Sequence, residues 1–315
     1  MRAYIVRRLI TGVFILVILS IAVFLLLRIA PGDPVRFRCG LNCPPERYAA
    51  IEHEMGLDKS YPEQYFSWMN EVFSGDLGIS NLTKQPVSEA LVDRLPVTVE
   101  LLAFTLIITV VFGVSFGIIS ALYYNSPLDI GVRLFAVLGL AVPSFWVATL
   151  VLEVPGSLWN YAPPLGVHIS FFDNPWDNLR QFVPPAIVLS LAAAAGIMRL
   201  TRSSLLEVLR TDYIRTARSK GLRESSVVIR HALKNSIIPV VTVLGLQVSA
   251  LIGGAVIIEV IFALPGIGQY VFGSLLARDF PVVQTMTLYI GVAVVLMNLL
   301  VDISYAWLDP RIRYS

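Results

Sequence analysis

Six uncharged apolar stretches constrain this chain more than any other feature of its sequence. Each has about 20 residues, the length that a helix needs to cross roughly 30 Å of hydrocarbon. They occupy residues 9–27, 101–124, 134–152, 182–198, 237–258 and 282–301. Of the 315 residues 56% are hydrophobic, and the mean hydropathy is +0.73, which excludes an ordinary soluble domain. We therefore predict an all-α integral membrane protein with six transmembrane helices.

The first stretch follows Arg2, Arg7 and Arg8, so it could also be a secretory signal. Its apolar run is longer than that of a signal, and no Ala-x-Ala cleavage site follows it. We predict that it is retained as the first span. The Pro-Gly-Asp-Pro sequence at residues 31–34 would then end that helix as it leaves the bilayer.

The distribution of charge predicts the orientation of the spans. The loop at 199–238 is rich in Lys and Arg, whereas acidic residues outnumber basic ones at 31–94. Because loops that stay in the cytoplasm keep an excess of Lys and Arg, we expect both termini to be cytoplasmic and the acidic segment to be external. The predicted divisions are 1–30 (cytoplasmic amino terminus and first helix), 31–95 (small external, periplasmic subdomain) and 96–315 (five-helix core with a cytoplasmic loop at about 199–238).

The external segment is predicted to form helices near residues 45–55 and 62–73. Its aromatic side chains could cover the membrane helices or contact a partner protein. It also contains Cys39 and Cys43, the only cysteines of the chain. In an oxidising compartment such a pair is most simply a disulfide, which is our prediction. A metal site is the alternative, with His53 as the nearby further ligand, but two thiols and one imidazole are too few.

The loop between the fourth and fifth stretches is the most basic interior segment, and it reads RTARSKGLRESSVVIRHALKNSIIP at residues 215–239. Apolar residues recur at helical spacing on both sides of Gly221. They are Leu205, Leu209, Tyr213 and Ala217 before it, and Val228, Ile229, Ala232 and Leu233 after it. We therefore predict a helix, a break at Gly221 and a second helix, with Glu224 in its first turn.

This order of residues resembles the EAA loop of the membrane subunits of ABC importers, in the form TARxKGL…RHALxN…P of peptide permeases. Ala217, Gly221 and Leu233 match the second alanine, the glycine and the later leucine of the general motif. Arg215 and Thr216 stand where the general motif has Glu and its first Ala, which is similar to the peptide subfamily. The resemblance implies coupling to an ATPase through Arg215, Thr216, Ala217, Arg218, Lys220, Gly221, Leu222 and Arg223.

Two further segments extend the resemblance over nearly the whole chain. The start MRAYIVRRL, followed by Pro-Gly-Asp-Pro, is similar to first-type peptide permease subunits, and EVIFALPGIG at 259–268 resembles their E-x-x-F-x-x-P-G-x-G signature. The resemblance implies the type I ABC importer permease fold. It assigns to the pathway and its outer loop the residues Glu259, Pro265, Gly266, Gly268 and Asp279.

Glu259 lies at the outer end of the fifth stretch. An ionisable group at membrane depth normally faces a cavity or a partner, although a carboxylate at a helix end can also extend to water. The Pro-Gly-Ile-Gly sequence is typical of a turn, so residues 262–280 are predicted to fold back toward the pathway. There Glu259 could attract a cationic group of the substrate, or it could fix the loop through backbone amides.

Three other patterns bear on function. Residues 113–117, GVSFG, match the nucleophile elbow G-x-S-x-G, but they lie within an apolar stretch, so we predict a helix-packing face. Pro184 and Pro185 predict a kink in the fourth span, whose small residues could line an interface or a pore. No Gly-x-x-x-x-Gly-Lys-Ser/Thr loop occurs, so no cofactor is expected in this chain, and partner subunits would bind ATP and Mg.

The resemblance implies a non-enzymatic permease subunit in the inner membrane that forms half of the path for di- or oligopeptides. It also implies partners: a second homologous permease subunit, two cytoplasmic ATP-binding subunits and an extracytoplasmic solute-binding protein. Nickel chelates, glutathione and oligosaccharides are alternative substrates, because their importers share this subunit type. An intramembrane enzyme and a secondary transporter are the remaining alternatives, and we see no internal repeat of the kind that secondary transporters carry.

Overall fold

The computed structural model describes residues 2–29, 32–40 and 42–308, and these residues are mostly helical. In chain order the helices are α1 (Arg2–Ile29), α2 (Pro34–Cys39), α3 (Pro45–Glu54), α4 (Tyr61–Ser74), α5 (Val87–Leu122), α6 (Pro127–Ala141), α7 (Ser144–Trp159), α8 (Pro175–Leu209), α9 (Asp212–Ser219), α10 (Glu224–Ser226), a π-helix (Val227–Leu233), α11 (Lys234–Ser236), α12 (Ile238–Ile261), α13 (Ile267–Leu276) and α14 (Phe280–Leu308). Pro31 of the expected helix stop and the tail at 311–315 lie outside the described residues.

The membrane spans agree with the six predicted apolar stretches. Within the described residues, α1, α5, α8, α12 and α14 each contain an apolar run long enough to cross a membrane. A sixth span is counted when the bent pair α6 and α7 is taken as one span. The all-α membrane class is therefore confirmed, with five or six spans.

The third span is not the single helix predicted over residues 134–152, and this part of the prediction is wrong. The axes of α6 and α7 meet at 101°, with Val142 and Pro143 between them. Val142 has extended angles, φ −88° and ψ 126°. The ring of a proline clashes with helical geometry at the preceding residue, so α6 ends at Ala141 and a new helix starts after Pro143.

One compact unit comprises Met1–Thr98 and Pro265–Leu299. Its main core joins α5, α13 and α14 through Val87, Ala90, Leu91, Ile267, Val282 and Met286. Helices α1 and α14 of this unit also approach each other closely, at glycines. A Cβ atom on Gly12 would lie 2.7 Å from Cγ1 of Val295. Small residues at such crossings let two membrane helices pack backbone to backbone.

The predicted external helices are α3 and α4, and their aromatic residues divide into two groups. On α4, Tyr65 and Trp68 pack against Phe24 of α1, with ring centroids 5.4 and 6.3 Å from the Phe24 ring. Phe66 and Phe73 are 70% and 83% exposed. One face of α4 therefore covers the carboxyl-terminal part of α1, while the other face is exposed.

The second compact unit comprises Val99–Leu264 and Leu300–Ser315, and α8 is packed against α6, α7 and α12 within it. Gly113 and Gly117 of α5 lie directly against α8. A Cβ on Gly113 would come within 2.8 Å of Ile197, and one on Gly117 within 2.5 Å of Thr201. The GVSFG sequence therefore serves helix packing, as predicted. The two compact units are defined by which residues pack together, and not by the side of the membrane on which they lie. The predicted boundaries at residues 30 and 95 concern membrane sidedness, so they remain predictions.

Candidate functional site

The basic loop begins where α8 ends. The prediction had one continuous helical stripe through this point, whereas the structure has a break between two helices. α8 stops at Leu209, and α9 starts again after Thr211, whose angles are extended. Because this break shifts the helical phase, Ile214 is fully buried and Tyr213 is 44% exposed. The predicted continuous stripe through Tyr213 is therefore wrong, whereas Ala217, at 7% exposure, is buried as expected.

Gly221 forms the sharp turn after α9. Its φ is +75°, and its N–H donates a hydrogen bond to the carbonyl oxygen of Arg218 over 2.9 Å. A Cβ atom at this position would have no heavy atom within 4 Å. The backbone angle, and not a lack of space, is therefore what requires glycine here.

An ion pair crosses this turn. Arg218 Nη2 lies 2.6 Å from Glu224 Oε1, and Arg218 Nε lies 3.1 Å from Glu224 Oε2. The hydrogen bonds from the Arg218 guanidinium lower the pKa of the Glu224 carboxyl and raise the pKa of Arg218. Both side chains are partly solvated, so such a pair contributes at most about 1 kcal/mol. Its two parallel bonds orient α9 and α10 relative to each other.

The chain returns through the π-helix Val227–Leu233, which was not predicted. In a π-helix each hydrogen bond spans one residue more than in an α-helix, so a different set of side chains lies on the buried face. Val227, Val228 and Ala232 are buried, while Ile229, predicted to lie on the apolar face, is 64% exposed. At the end of the return, Asn235 Nδ2 donates to the Tyr213 hydroxyl over 2.9 Å.

Together these elements form what we call the coupling hairpin, residues 212–236. Its base is a continuous apolar core with α5 and α8, made of Ala121, Leu205, Ile214, Ala217, Val227 and Ala232. Of the residues predicted to couple, Ala217 belongs to this base. The others lie on the exposed side of the hairpin: Arg215, Thr216, Arg218, Lys220, Gly221, Leu222 and Arg223.

A buried ion pair that was not predicted from the sequence supports the end of α8 near the hairpin. The Asp129 carboxylate of α6 is fully buried and accepts two hydrogen bonds of 2.9 Å from the Arg202 guanidinium of α8. It also accepts hydrogen bonds from Ser120 Oγ of α5, at 2.5 Å, and from the Asn125 N–H, at 3.0 Å. One carboxylate therefore connects three helices.

The predicted pathway residue Glu259 is fully buried near the end of α12. Its carbonyl oxygen accepts a hydrogen bond of 2.9 Å from the Leu264 N–H, which closes the turn after the helix. A side chain with no exposed surface does not extend to water, so the alternative of a solvated helix-end carboxylate is excluded for the chain as described.

The outer-loop residues lie around and within the short helix α13: Pro265 and Gly266 precede it, Gly268 is in its first turn, and Asp279 follows it. The Ile267 N–H donates to Thr98 Oγ1 over 2.9 Å, which fastens the start of α13. The segment therefore forms a separate helix and does not continue straight into α14.

Asp279 organises the turn that follows residue 79. Its buried carboxylate accepts hydrogen bonds from Ser80 Oγ at 2.5 Å, from the Asn81 N–H at 3.0 Å and from the Leu82 N–H at 3.3 Å. These bonds join positions about 200 residues apart in the sequence. Asp279 therefore holds the turn at residues 80–82 in place.

Cys39 and Cys43 form a disulfide at the end of α2, with Cα atoms 5.4 Å apart. Asp33 begins the same helix, because its Oδ1 accepts from the Val35 and Arg36 N–H groups. Among the described residues, no group of three or more His, Cys, Asp or Glu side chains could hold a metal ion.

Family models match both parts of the chain. The model described as "binding-protein-dependent transport system inner membrane component" matches residues 113–314, and the model of the corresponding amino-terminal part matches residues 1–102. A putative peptide transport system permease protein of Brucella abortus is 43% identical over 315 residues, which are 100% of both chains. The oligopeptide transport system permease protein AppB of Bacillus subtilis and the dipeptide transport system permease protein DppB of Alkalihalophilus pseudofirmus are each 37% identical, also over 100% of both chains.

A solved structure agrees with the fold. The inward-facing methionine ABC transporter MetNI matches with a TM-score of 0.58 at 16% identity, over 70% of this chain and 97% of that chain. Together with the membrane spans, the family models and the full-length relatives define a multi-pass permease of the ABC importer class. The chain belongs to the family of binding-protein-dependent transport system inner membrane components. Members of this class work with an ATPase and a binding protein, and the predicted family is confirmed.

Proposed function

We propose that this chain is the permease subunit of a di- or oligopeptide importer, and that the coupling hairpin transmits the work of ATP hydrolysis to it. The observation that carries the proposal is the hairpin itself. Exposed Arg and Lys side chains and the 41% exposed Leu222 lie on a turn whose base is packed into the core. An apolar residue among cations on a rigid turn is suited to insert into a cleft of a partner subunit.

The ATPase reaction would take place in partner subunits. Two ATP-binding subunits would bind ATP and Mg, and this chain would need no cofactor. A second, homologous permease would complete the path, and a solute-binding protein would deliver the substrate from outside. The names of the relatives favour peptides as substrates, because those proteins are described as dipeptide, oligopeptide or peptide permeases.

The decisive experiment is uptake into liposomes that contain the full complex with its binding protein. Labelled di- and tripeptides, a nickel chelate, glutathione and an oligosaccharide would each be offered with ATP inside. We expect peptides to be taken up and to stimulate ATP hydrolysis. ATP-driven uptake of only the chelate, glutathione or the oligosaccharide would contradict the peptide assignment and leave the permease assignment in place.

The same panel of solutes separates the two roles of Glu259. We propose that this buried carboxylate fixes the turn after α12, in which case Glu259→Gln reduces uptake of cationic, neutral and anionic peptides alike. If it instead attracts substrate charge, cationic peptides lose most, and less at high salt because exposed charges are screened over about 10 Å at 0.1 M. Unchanged uptake of every peptide contradicts both roles.

A further inference from the structure

A cavity of about 530 Å³ lies in the unit formed by Met1–Thr98 and Pro265–Leu299. It is bounded by the outer end of α1, by α4, by the turn around Asn81 and by the start of α14. This volume falls within the range of about 300 to 1,000 Å³ in which small-molecule sites are found. Its lining contains neither a residue of the coupling hairpin nor Glu259.

Four hydrogen-bond donors of this cavity have no acceptor. They are Arg28 Nη1, Trp68 Nε1, Asn81 Nδ2 and Gln284 Nε2, and each of these atoms is buried. None of the described residues accepts a hydrogen bond from any of them. The Gln284 side chain is only 4% exposed. Buried donors without partners are unfavourable and rare, so four around one cavity indicate a ligand rich in acceptors.

The charge of Arg28 specifies that ligand further. Its Nε donates to Gln64 Oε1 over 3.1 Å, and its Cζ lies 3.7 Å from the centroid of the Phe24 ring. Both partners are neutral, and no described carboxylate forms an ion pair with Arg28. A guanidinium with a buried, unpaired N–H group is most stable beside an anion with two oxygens.

The other charges around the cavity do not compensate Arg28. Arg38 is paired with Glu54 at 2.7 Å. The remaining charged side chains on the lining are exposed to solvent: Lys59, Glu71, Asp76 and Lys84. The lining as a whole has four basic and three acidic residues, counting Arg28, Arg38, Lys59 and Lys84 against Glu54, Glu71 and Asp76, so one positive charge is in excess.

We propose that this cavity binds an oxyanion, a carboxylate or phosphate group, through the side chains of Arg28, Trp68, Asn81 and Gln284. Arg28 would supply the charge and one hydrogen bond, and the three neutral donors would orient the oxygens. Leu57, Phe280 and Pro281 also line the cavity and would contact an apolar part of the ligand. Two sources offer this chemistry: a small soluble anion and the headgroup of an anionic lipid, since α1 and α14 both carry membrane spans.

The test uses the full-length chain, purified with its partner subunits, in nanodiscs of phosphatidylcholine. Binding of sodium phosphate and of sodium succinate is measured by calorimetry, and uptake of phosphatidylglycerol from mixed nanodiscs is counted by native mass spectrometry. We expect binding of at least one probe to weaken roughly ten- to a hundredfold in Arg28→Gln and in Gln284→Leu, because each variant removes a donor to a charged group. Arg36→Gln, an exposed arginine of the same subdomain outside the cavity, should change binding less than about twofold.

The probes distinguish the sources. Binding of phosphate or succinate identifies a soluble anion, and selective retention of phosphatidylglycerol identifies a lipid headgroup. Gln284→Leu nearly preserves side-chain volume, so it keeps the test valid if Arg28→Gln fails to assemble. Failure of all three probes to bind overturns the proposal, and so does binding by Gln284→Leu as tight as in the wild type. Either failure would leave the transport assay, and the function it tests, unaffected.

Discussion

Gly221 carries the backbone angle on which the coupling hairpin depends. Its φ of +75° lies in the left-handed region, where an L-amino acid has a conformational energy about 1–2 kcal/mol higher than in the right-handed region. A branched side chain would relieve that strain by opening the turn between α9 and α10. Such a change would move the exposed residues Leu222 and Arg223 while leaving the buried base of the hairpin in place.

We therefore expect Gly221→Val to assemble in the membrane with its partners but to lose at least about 90% of ATP-driven uptake. The measurements are the yield of purified complex and the transport rate in liposomes. Gly75→Val is the matched control, because Gly75 also has a positive φ, +86°, and a Cβ atom there would also have no heavy atom within 4 Å. Normal uptake by Gly221→Val would exclude the hairpin from coupling, and equal loss in both variants would show a general effect of strain.

Asp129 and Arg202 are the second residue-level feature, because the fully buried Asp129 carboxylate accepts two hydrogen bonds from the Arg202 guanidinium. Arg133 Nε lies farther away, at 3.4 Å from Asp129 Oδ1. Removing only Arg202 leaves a buried charge with fewer partners, so we expect Arg202→Leu to destabilise the chain by about 3 kcal/mol or more. The double variant Asp129→Leu with Arg202→Leu should recover most of that loss.

Thermal denaturation in one detergent, followed by tryptophan fluorescence, measures both variants against the wild type. Arg180→Leu is the control, since its pair with Asp177 is solvent-exposed. If the double variant is less stable than Arg202→Leu, apolar side chains cannot replace the ion pair. That result would contradict the expectation.

At the level of elements, what could be predicted from the sequence depended on how local the controlling interactions are. The lengths of the apolar stretches predicted the spans, and the glycine predicted the break at residue 221, because both effects act within one segment. The bend at Pro143 was missed although its cause is local, since the uncharged composition of residues 134–152 outweighed one proline.

The remaining errors have non-local causes. Ile214 is buried in place of Tyr213 because α9 packs against Leu205 and Val227, contacts that a helical-spacing pattern does not contain. The Asp129–Arg202 pair joins positions 73 residues apart, and the Asp279–Ser80 bond joins positions 199 apart. The periodicity of one sequence does not show which residues far apart in the chain come into contact. These two pairs could therefore not be predicted from it.

The element formed by α2 and its disulfide supports another prediction. We expect Cys39 and Cys43 to be linked in protein isolated from cells, and Cys39→Ser with Cys43→Ser to retain peptide uptake within about twofold. The bond closes a loop of only a few residues, so its entropic contribution is about 2 kcal/mol and local to the subdomain. Mass spectrometry without reduction measures the linkage, with a reduced sample as its control, and two free thiols would contradict it.

At the scale of the whole molecule, the charge distribution predicts that both termini lie in the cytoplasm. Ser315 lies outside the described residues, whereas Thr83 is exposed on the turn that Asp279 holds. A tag at Ser315 should therefore resist an external protease in intact cells, and a cleavage site inserted after Thr83 should be cut.

Immunoblots of the tag and of the cleaved fragment, before and after cell lysis, provide the measurement. Lysis is the internal control, because it should make the tag cleavable without changing the cut after Thr83. The reverse pattern would show that the chain has the opposite orientation in the membrane. In that orientation the coupling hairpin could not contact cytoplasmic ATP-binding subunits.

The shared core of the hairpin and α8 has a mechanical consequence. α8 has 35 residues, so at 1.5 Å per residue its helical path is about 52 Å long. The hairpin packs directly against Leu205 near the carboxyl end of α8, so a displacement of the hairpin would be passed to α8. A tilt of roughly 10° about that end moves the far end by about 9 Å, nearly the diameter of a helix. A small rotation at the hairpin would therefore displace the far end of α8 by about the distance that separates two packed helices.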